Sequence, residues 1–582
     1  MILQALKEYY DRKVSDGSLP REGWIIGGID FLLDLDTSGT LIGIEDMREF
    51  KGKKKISHPI DLPSIGKQSL KHTNSGKDAN LLWDNAAFVF GLGKNGKARI
   101  QSMIDAINAW LGGTNDVGVQ AVRQFFEKGL LNRSHFDYAL DHAEHGELFK
   151  EGNVRISFRI RETGYNVVFN SPAVERALED SGNKEDENTV YGTCLVSGDE
   201  NVPIETTHPV TKGVWGAQSS GACIVSFNKN AFNSYGKVQS LNAPVSKVMV
   251  SQYGKALNAM LSSPRQCIHV GDASTVFWSE KKTSFENDFS FFFKEPEKDN
   301  PDAGVEKIKA LYDSLNTGAF VTEEGSTRFY ILGLAPNAAR ISVRFWQVGK
   351  ISDFALRIKQ YFDDFAMVKP PNEPEYYSIW RILVNIAVQD KSENIPPNLA
   401  GEFMRSILNG TPYPATLLQA CLRRIHSDTE NRVKTVRAAL LKAYLNRYYR
   451  FHPDIKQKEV NMELDKNQPS IGYQLGRLFA VLEKIQEEAN PGINATIRER
   501  FYGAACTTPV TVFANLFRLK NHHLAKMDNR GRVINLERLL GEIMSNLSDF
   551  PAHLDLHEQG RFAIGYYHQR QDFFTSRKAD AE

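Results

Sequence analysis

VKPPNEPE, residues 368–375, is the stretch on which the fold class turns. Its prolines lack an amide proton and push the residues before them into extended backbone, so neither a helix nor a sheet ladder runs through it. The two sides of this break read differently. Downstream, TLLQACLRRI (416–425), TVRAALLKAYLNRYYR (435–450), IGYQLGRLFAVLEKIQEE (471–488) and INLERLLGEIMSNL (534–547) carry apolar residues every three to four positions. Strand signals nearly vanish there, which predicts an all-helical, bundled region. Upstream, residues 24–45, WIIGGIDFLLDLDTSGTLIGIE, alternate and turn like a hairpin. RISFRIR (155–161) and ARISVRFWQV (339–348) have the period-two pattern of strands, while ARIQSMIDAINAWLG (98–112) and KVMVSQYGKALNAMLSS (247–263) have helical spacing. The expected fold class is an α+β N-terminal region with antiparallel or mixed sheets, followed by an all-α C-terminal bundle. The expected divisions are a mixed α/β region over 1–367, a linker over 368–375, a helical region over 376–461 and a terminal helical bundle over 462–582. LEDSGNKEDENT (178–189) and KEPEKDNPDAG (294–304) read as polar surface loops.

A chain of 582 residues exceeds what one hydrophobic core sustains, so two to four domains are expected. Hydrophobic content of 41% and charged content of 24% are those of a soluble globular protein. The net charge is +1, so any affinity for a polyanion must come from local patches. Cys194, Cys223, Cys267, Cys421 and Cys506 include no CxxC pair, which argues against a zinc site or a disulfide framework and fits a reducing cytoplasm. MILQALKEYYDRK, at the N-terminus, is charged too early for a signal peptide. YYSIWRILVNIAV (376–388) carries Arg381 and is too short to span a bilayer. A soluble, cytoplasmic protein without membrane partner, metal or cofactor is the expectation.

The candidate chemical motifs mostly fail on the residues that matter. In GVWGAQSSGACIVSFN (213–228), Gly216 and Gly221 have P-loop spacing, but Ala222 and Cys223 stand where lysine and a hydroxyl residue are needed. No GxSxG is present. His208 could serve Ser219 as a base, so a serine-type hydrolase using Ser219 or Ser220 stays open as an alternative. A glycine turn feeding a buried CIVSF strand explains the glycines but leaves Gln218, Ser219 and Ser220 without a task. Asp34, Asp36, Ser38, Gly39 and Glu45 match a calcium-loop spacing, yet their flanks alternate like strands, so a tight hairpin is the better reading. His522 and His523 are adjacent, not a helical metal pair, and no HExxH occurs.

Basic residues are placed locally instead. From Arg48 to Lys77 the chain sets Arg48, Lys51, Lys53, Lys54, Lys55, Lys67, Lys71 and Lys77 against only Glu49 and Asp61. Apolar residues are too sparse there to bury, so an exposed, loop-rich arm is expected, able to neutralise phosphates. Within it, Thr73, Asn74, Ser75 and Gly76 lie between Lys71 and Lys77: short polar groups to approach a base edge, lysines to hold the flanking phosphates. NLLWDNAAFVFGL (80–92) then anchors the segment in the core. In RISFRIR, Arg155, Ser157, Arg159 and Arg161 share a face; in ARISVRFW, Arg340 and Arg344 do. Arginine rows on a sheet suit phosphate contacts.

MILQALKEYYDR (1–12), the hairpin with LDTSG (35–39), SGKDANLLWDNAAFVFG (75–91), HPVTKGVWGAQSSGACIVSFNKNAFNSYGKVQSLNAPVS (208–246), ALNAMLS (256–262) and DASTVFWS (272–279) together resemble the large subunit of the type I-C CRISPR surveillance complex, Cascade. The resemblance runs in order over nearly the whole chain. It implies a non-catalytic role in RNA-guided antiviral defence. Such a subunit recognises the protospacer-adjacent motif on double-stranded DNA, promotes strand opening and R-loop formation, stabilises the displaced single strand and recruits a separate helicase-nuclease. The implied partners are that DNA, the CRISPR RNA complex with its backbone and guide-end subunits, and a small helical subunit. On this reading Lys71, Thr73, Asn74, Ser75 and Lys77 approach the duplex motif, and Lys53, Lys54 and Lys55 follow phosphates. Gln218, with Ser219, forms a strand wedge, and Arg155, Arg159 and Arg161 contact the backbone. Lys458, Glu459 and Val460 can be encoded as a ribosome-binding sequence just before Met462. The small subunit implied by the resemblance would then start at Met462 of the same gene, with its DNA or neighbour contacts in RERFYGAACTTPVTVFANLFRLKNHHLAK (498–526). A purely structural assembly protein is the remaining alternative.

Overall fold

The alternation over residues 24–45 forms strands in the computed structural model, which describes residues 1–52, 54–64, 78–179, 189–293, 323–338, 340–428 and 432–574, with Asp313 and Thr317. β1 (Trp24–Gly28), β2 (Phe31–Leu35) and β3 (Leu41–Asp46) come from this stretch. The β2–β3 turn is closed by the Asp36 carboxylate, whose Oδ1 accepts from Ser38 N at 2.9 Å, Ser38 Oγ at 2.8 Å and Thr40 N at 2.8 Å. Gly39 is left-handed at φ +77°, and a Cβ there would lie 2.5 Å from the Ala121 carbonyl oxygen. The calcium-loop spacing is therefore a hairpin, with its aspartate consumed by the turn.

The chain divides into two compact units: Met1–Thr211 with Cys223–Ala259, and Lys212–Ala222 with Met260–Glu582. In the first unit, β4 (Arg48–Lys51) and β5 (Lys54–Ser57) pair as a hairpin, and β6 (Pro59–Pro63) pairs with β1. This part of the basic arm is thus a ladder rather than a loop: backbone bonding needs no apolar core, and Gly52 supplies the left-handed turn at φ +66°. β7 (Trp83–Asn85) and β8 (Arg155–Ile160) complete a four-stranded sheet in the order β3-β2-β8-β7, with β2 and β8 parallel. β2 is buried along its whole length. The Val117–Leu131 helix packs Phe125 and Phe126 on Phe158 of β8, at ring distances of 5.6 and 5.4 Å. β9 (Tyr191–Gly192) and β10 (Val202–Pro203) form a small ribbon. CIVSF (223–227) does not form the expected strand; it runs irregularly and half-buried, so its apolar side chains pack without a sheet ladder.

The second unit begins with an antiparallel meander, β11 (Cys267–Val270), β12 (Ala273–Ser279), β13 (Arg328–Asn337) and β14 (Arg340–Lys350). β12 is buried at every position. On one face Trp278, Tyr330 and Trp346 stack across neighbouring strands, 5.4 Å separating the first two rings and 5.7 Å the last two. On the other, Phe277 meets Phe289 of the Ser284–Phe293 helix. After Lys350 every regular element among the described residues is helical, from Ile351–Phe365 to Leu556–Asp572. Val368–Glu375 lies inside this unit, where Val368 N donates to the Met462 carbonyl at 3.0 Å. The α+β region followed by an all-helical region is the fold class expected from the hydrophobic periods. No helix among the described residues is long and apolar enough to cross a membrane.

Candidate nucleic-acid interface

Lys53, Lys71, Thr73, Asn74, Ser75 and Lys77 lie outside the described residues. The described residues that flank 65–77 are firmly held. Ser64 N donates to the Gly23 carbonyl at 2.7 Å, and Trp83 Nε1 donates to the Pro63 carbonyl at 2.9 Å. On the far side Ala79 N donates to Ser102 Oγ at 2.8 Å, and Asn80 gives both its backbone and side-chain N–H to Asp84 Oδ2 at 2.9 and 3.2 Å. Ala79, Leu81 and Leu82 are fully buried. The anchor read from NLLWDNAAFVFGL is thus seated in the core, and its Trp83 also holds Pro63.

Lys54 is on β5. Lys55, also on β5, reaches Asp46 Oδ2 at 2.9 Å and lies 5.4 Å from the ring of Phe50, itself 74% exposed. Burial pushes the Asp46 carboxyl up, but hydrogen bonds from Arg48 and Lys55 outweigh it and hold the group well below the usual carboxylate range.

The arginines of RISFRIR divide into two kinds. Arg155 is exposed, and its backbone N donates to Asp30 Oδ2 at 2.8 Å. Arg159 and Arg161 converge on the buried Asp34, at 2.7 and 2.6 Å for their shortest contacts, and Arg159 also pairs with Glu45. Burial raises the Asp34 pKa, but the hydrogen bonds from the two guanidinium groups outweigh it and lower the pKa overall. Two cations here meet two carboxylates, while the Arg161 side chain keeps 67% of its exposure. In the second strand pattern, Arg344 pairs with Asp272 at 2.8 Å.

The loop carrying Gln218 and Ser219 is built from glycines. Gly213, Gly216 and Gly221 are left-handed at φ +87°, +75° and +88°. Two turns follow each other: Ala217 N donates to the Val214 carbonyl at 3.1 Å, and Gly221 N to the Gln218 carbonyl at 2.9 Å. Val214 is buried and Trp215 N is held by Ser274 Oγ at 2.8 Å, so the loop has a fixed root. Gln218, Ser219 and Ser220 are exposed. Trp215, which a sequence reading would bury, is 66% exposed and lies 4.6 Å from the His269 ring. A shallow depression of about 280 Å³ beside it is lined by Trp215, Pro264, Cys267, His269 and Ser274. His208, the base considered for Ser219, is 2% exposed with Nδ1 against Tyr253 OH, and burial pushes its pKa down to about 4. It is a neutral core imidazole at pH 7.

One signal in this region needs only the letters. From Thr206 to Gly271 the chain has no Asp or Glu, yet it carries Lys212, Lys229, Lys237, Lys247, Lys255 and Arg265. In a chain whose net charge is +1, this is a local excess of positive charge. Lys255 is used internally, 3.4 Å from Glu22. No group of three or more His, Cys, Asp or Glu side chains that could hold a metal occurs among the described residues.

Met462 is 51% exposed and lies two residues after Val460, which is buried and bonded through both its N and O to the Asn446 side chain at 2.8 Å. No curated protein matches the chain. The family model described as CRISPR-associated protein (Cas_Csd1) matches residues 6–574. The match covers nearly the whole length and both units, so the chain belongs to the Cas_Csd1 family, the large subunits of the type I-C Cascade.

Proposed function

We propose that this chain is the non-catalytic, DNA-reading subunit of its RNA-guided complex. It recognises the protospacer-adjacent motif, opens the duplex, holds the displaced strand during R-loop formation and recruits the helicase-nuclease, in the cytoplasm. One observation carries the reading: an exposed polar loop, Gln218–Ser220, stands on three left-handed glycines within a stretch from Thr206 to Gly271 that has no carboxylate. Backbone strain relieved by glycine, exposed amide and hydroxyl groups and missing acids together suit close approach to a polyanion. The segment with Lys71, Thr73, Asn74, Ser75 and Lys77 reads the motif, since a short amide reaches groove acceptors while lysines hold phosphates. Lys53, Lys54, Lys55, Arg155 and Arg161 follow the backbone, and Arg159 supports them from its pair with Asp34. Guide pairing reads sequence and the protein reads the flank, the division of labour of another RNA-guided effector class.

The test uses the complex reconstituted with a guide RNA and matched targets that differ only in the flanking trinucleotide. Wild type should discriminate flanks by about tenfold or more, and Asn74→Ala should flatten that discrimination. On the preferred flank, Gln218→Ala should bind the duplex yet open it several-fold more slowly, read by fluorescence of 2-aminopurine at the first target base. Flank-independent binding by wild type would overturn the reading.

The proposal extends to a second product. Residues from Met462 onward include the helices Ile471–Ala489, Ile497–Thr507, Phe513–Lys526, Arg530–Met544 and Leu556–Asp572, enough to bundle as a small subunit made from the same gene. Expression of the intact gene should yield a small C-terminal polypeptide that Met462→Leu removes while the full-length chain persists. A small product unaffected by that substitution, or none from the wild-type gene, would refute the internal start.

A further inference from the structure

Tyr235 is 99% exposed, more than any other large hydrophobic side chain among the described residues. Exposure of a single ring is ordinary on a protein surface. Its mounting is not. Tyr235 and Gly236 both have positive φ, +51° and +72°, and Lys237 N donates to the Ser234 carbonyl at 2.9 Å. This is the pattern of a type I′ turn, a position where asparagine is at home and a tyrosine is strained. The Asn242 side chain locks the turn: its Oδ1 accepts from Ser234 N at 3.0 Å, and its Nδ2 donates to the carbonyls of Lys237 at 3.2 Å and Gln239 at 2.8 Å. Gln239 is itself left-handed at φ +48°. The backbone thus holds a strained, rigid tip whose only distinction is a bare aromatic ring, and strain kept at one spot points to a task there.

The neighbours name the ligand. Lys229 and Lys237, six residues before and two residues after Tyr235 in the chain, are both exposed, and among the described residues neither forms an ion pair with a carboxylate. The surrounding stretch from Thr206 to Gly271 has no acid at all. A bare flat ring with exposed lysines in the same acid-free stretch suits stacking on an unpaired nucleobase while lysines take the flanking phosphates.

We infer that the Ser234–Lys237 turn is a base-stacking finger, in which Tyr235 receives an unpaired nucleobase and Lys229 and Lys237 meet the phosphates beside it. The inference rests on the reading of this chain as a nucleic-acid-contacting subunit and adds a contact that the Gln218 loop and the Asn74 segment do not supply. The displaced DNA strand and the guide RNA offer the same chemistry, so the test separates them. Full-length protein is titrated into single-stranded DNA and single-stranded RNA of one sequence, each carrying 2-aminopurine, at two salt concentrations.

Tyr235→Asn suits the turn and removes the ring. It should melt no lower than wild type and bind one or both oligonucleotides about tenfold more weakly, with the salt dependence kept. Tyr235→Phe should bind like wild type. Loss confined to DNA assigns the finger to the displaced strand, and loss confined to RNA assigns it to the guide; either supports stacking. Wild-type affinity in Tyr235→Asn for both oligonucleotides overturns the finger while leaving the wider reading intact. Unchanged oligonucleotide affinity with failure to join the reconstituted complex would make the turn a protein dock and overturn it as well. Absence of salt-dependent binding by wild type itself would sink both.

Discussion

Asp364→Ala is expected to destabilise the second unit by about 3–5 kcal/mol, the range for breaking a buried ion pair from one side. Asp364 ends the Ile351–Phe365 helix with its carboxylate 1% exposed. Its Oδ2 accepts from Tyr413 OH at 3.0 Å and Arg447 Nη1 at 3.2 Å, and its Oδ1 accepts from Arg450 Nη1 at 2.7 Å. Arg447 has no exposed side-chain surface. Alanine would leave that guanidinium charged and buried, with only the Tyr413 hydroxyl and ring and the Ser406 carbonyl around it. Arg450, partly exposed, keeps Glu459 at 2.8 Å. The cost therefore falls on Arg447, with a share from the buried Lys442, whose charge Asp364 also favours, and the double substitution Asp364→Leu with Arg447→Met should recover at least half of it. Urea unfolding reads both. A single substitution as mild as a surface change, under about 0.5 kcal/mol, would show that water reaches Arg447 and that the pair is not a keystone of the helical core.

Gly476→Ala is the second large effect, and its sign opposes helix propensity. Alanine is favoured over glycine by about 1 kcal/mol inside a helix. In the Ile471–Ala489 helix, however, a Cβ at Gly476 would lie 2.0 Å from the Phe562 carbonyl oxygen and 2.8 Å from Tyr566 N. Gly472 and Gly565 repeat the constraint, at 2.2 Å from the Glu558 oxygen and 2.1 Å from the Tyr473 oxygen. These are backbone atoms of the facing helix, which cannot swing aside, so the two helices would have to separate. A net loss of about 3 kcal/mol is expected, at the upper end for overpacking. Gly541→Ala is the control: it is exposed within the Arg530–Met544 helix with nothing within 4 Å of its Cβ, and it should be neutral or stabilising. If the two variants behave alike, close backbone approach is not what holds this helix pair. Both helices lie beyond Met462, so on the proposed internal start Gly476→Ala would weaken the small product too.

Where hydrophobic period is strong, the element types could be read from the letters, though CIVSF and the Arg48–Ser57 hairpin could not. Period two or period three-to-four is imposed by local backbone geometry, so RISFRIR and TVRAALLKAYLNRYYR declare strand and helix without reference to the rest of the chain. The turn at Asp36 and Gly39 was legible for the same reason, because both its carboxylate bonds and its left-handed glycine are local. The run without acids from Thr206 to Gly271 was also open to reading. Tertiary structure alone decided which charges remain for a ligand. Arg159 and Asp34 are 125 positions apart, and only the parallel pairing of β2 with β8 sets them side by side. Arg437, Arg447, Arg477 and Arg561 look like surface cations in their helical repeats, yet all four are fully buried. Trp215 and Tyr235 look like core residues and stand in solvent. The physical reason is one of range. Periodicity and turn chemistry act over a few residues, whereas burial and charge pairing depend on which distant segment arrives, and that is set by the packing of the whole unit.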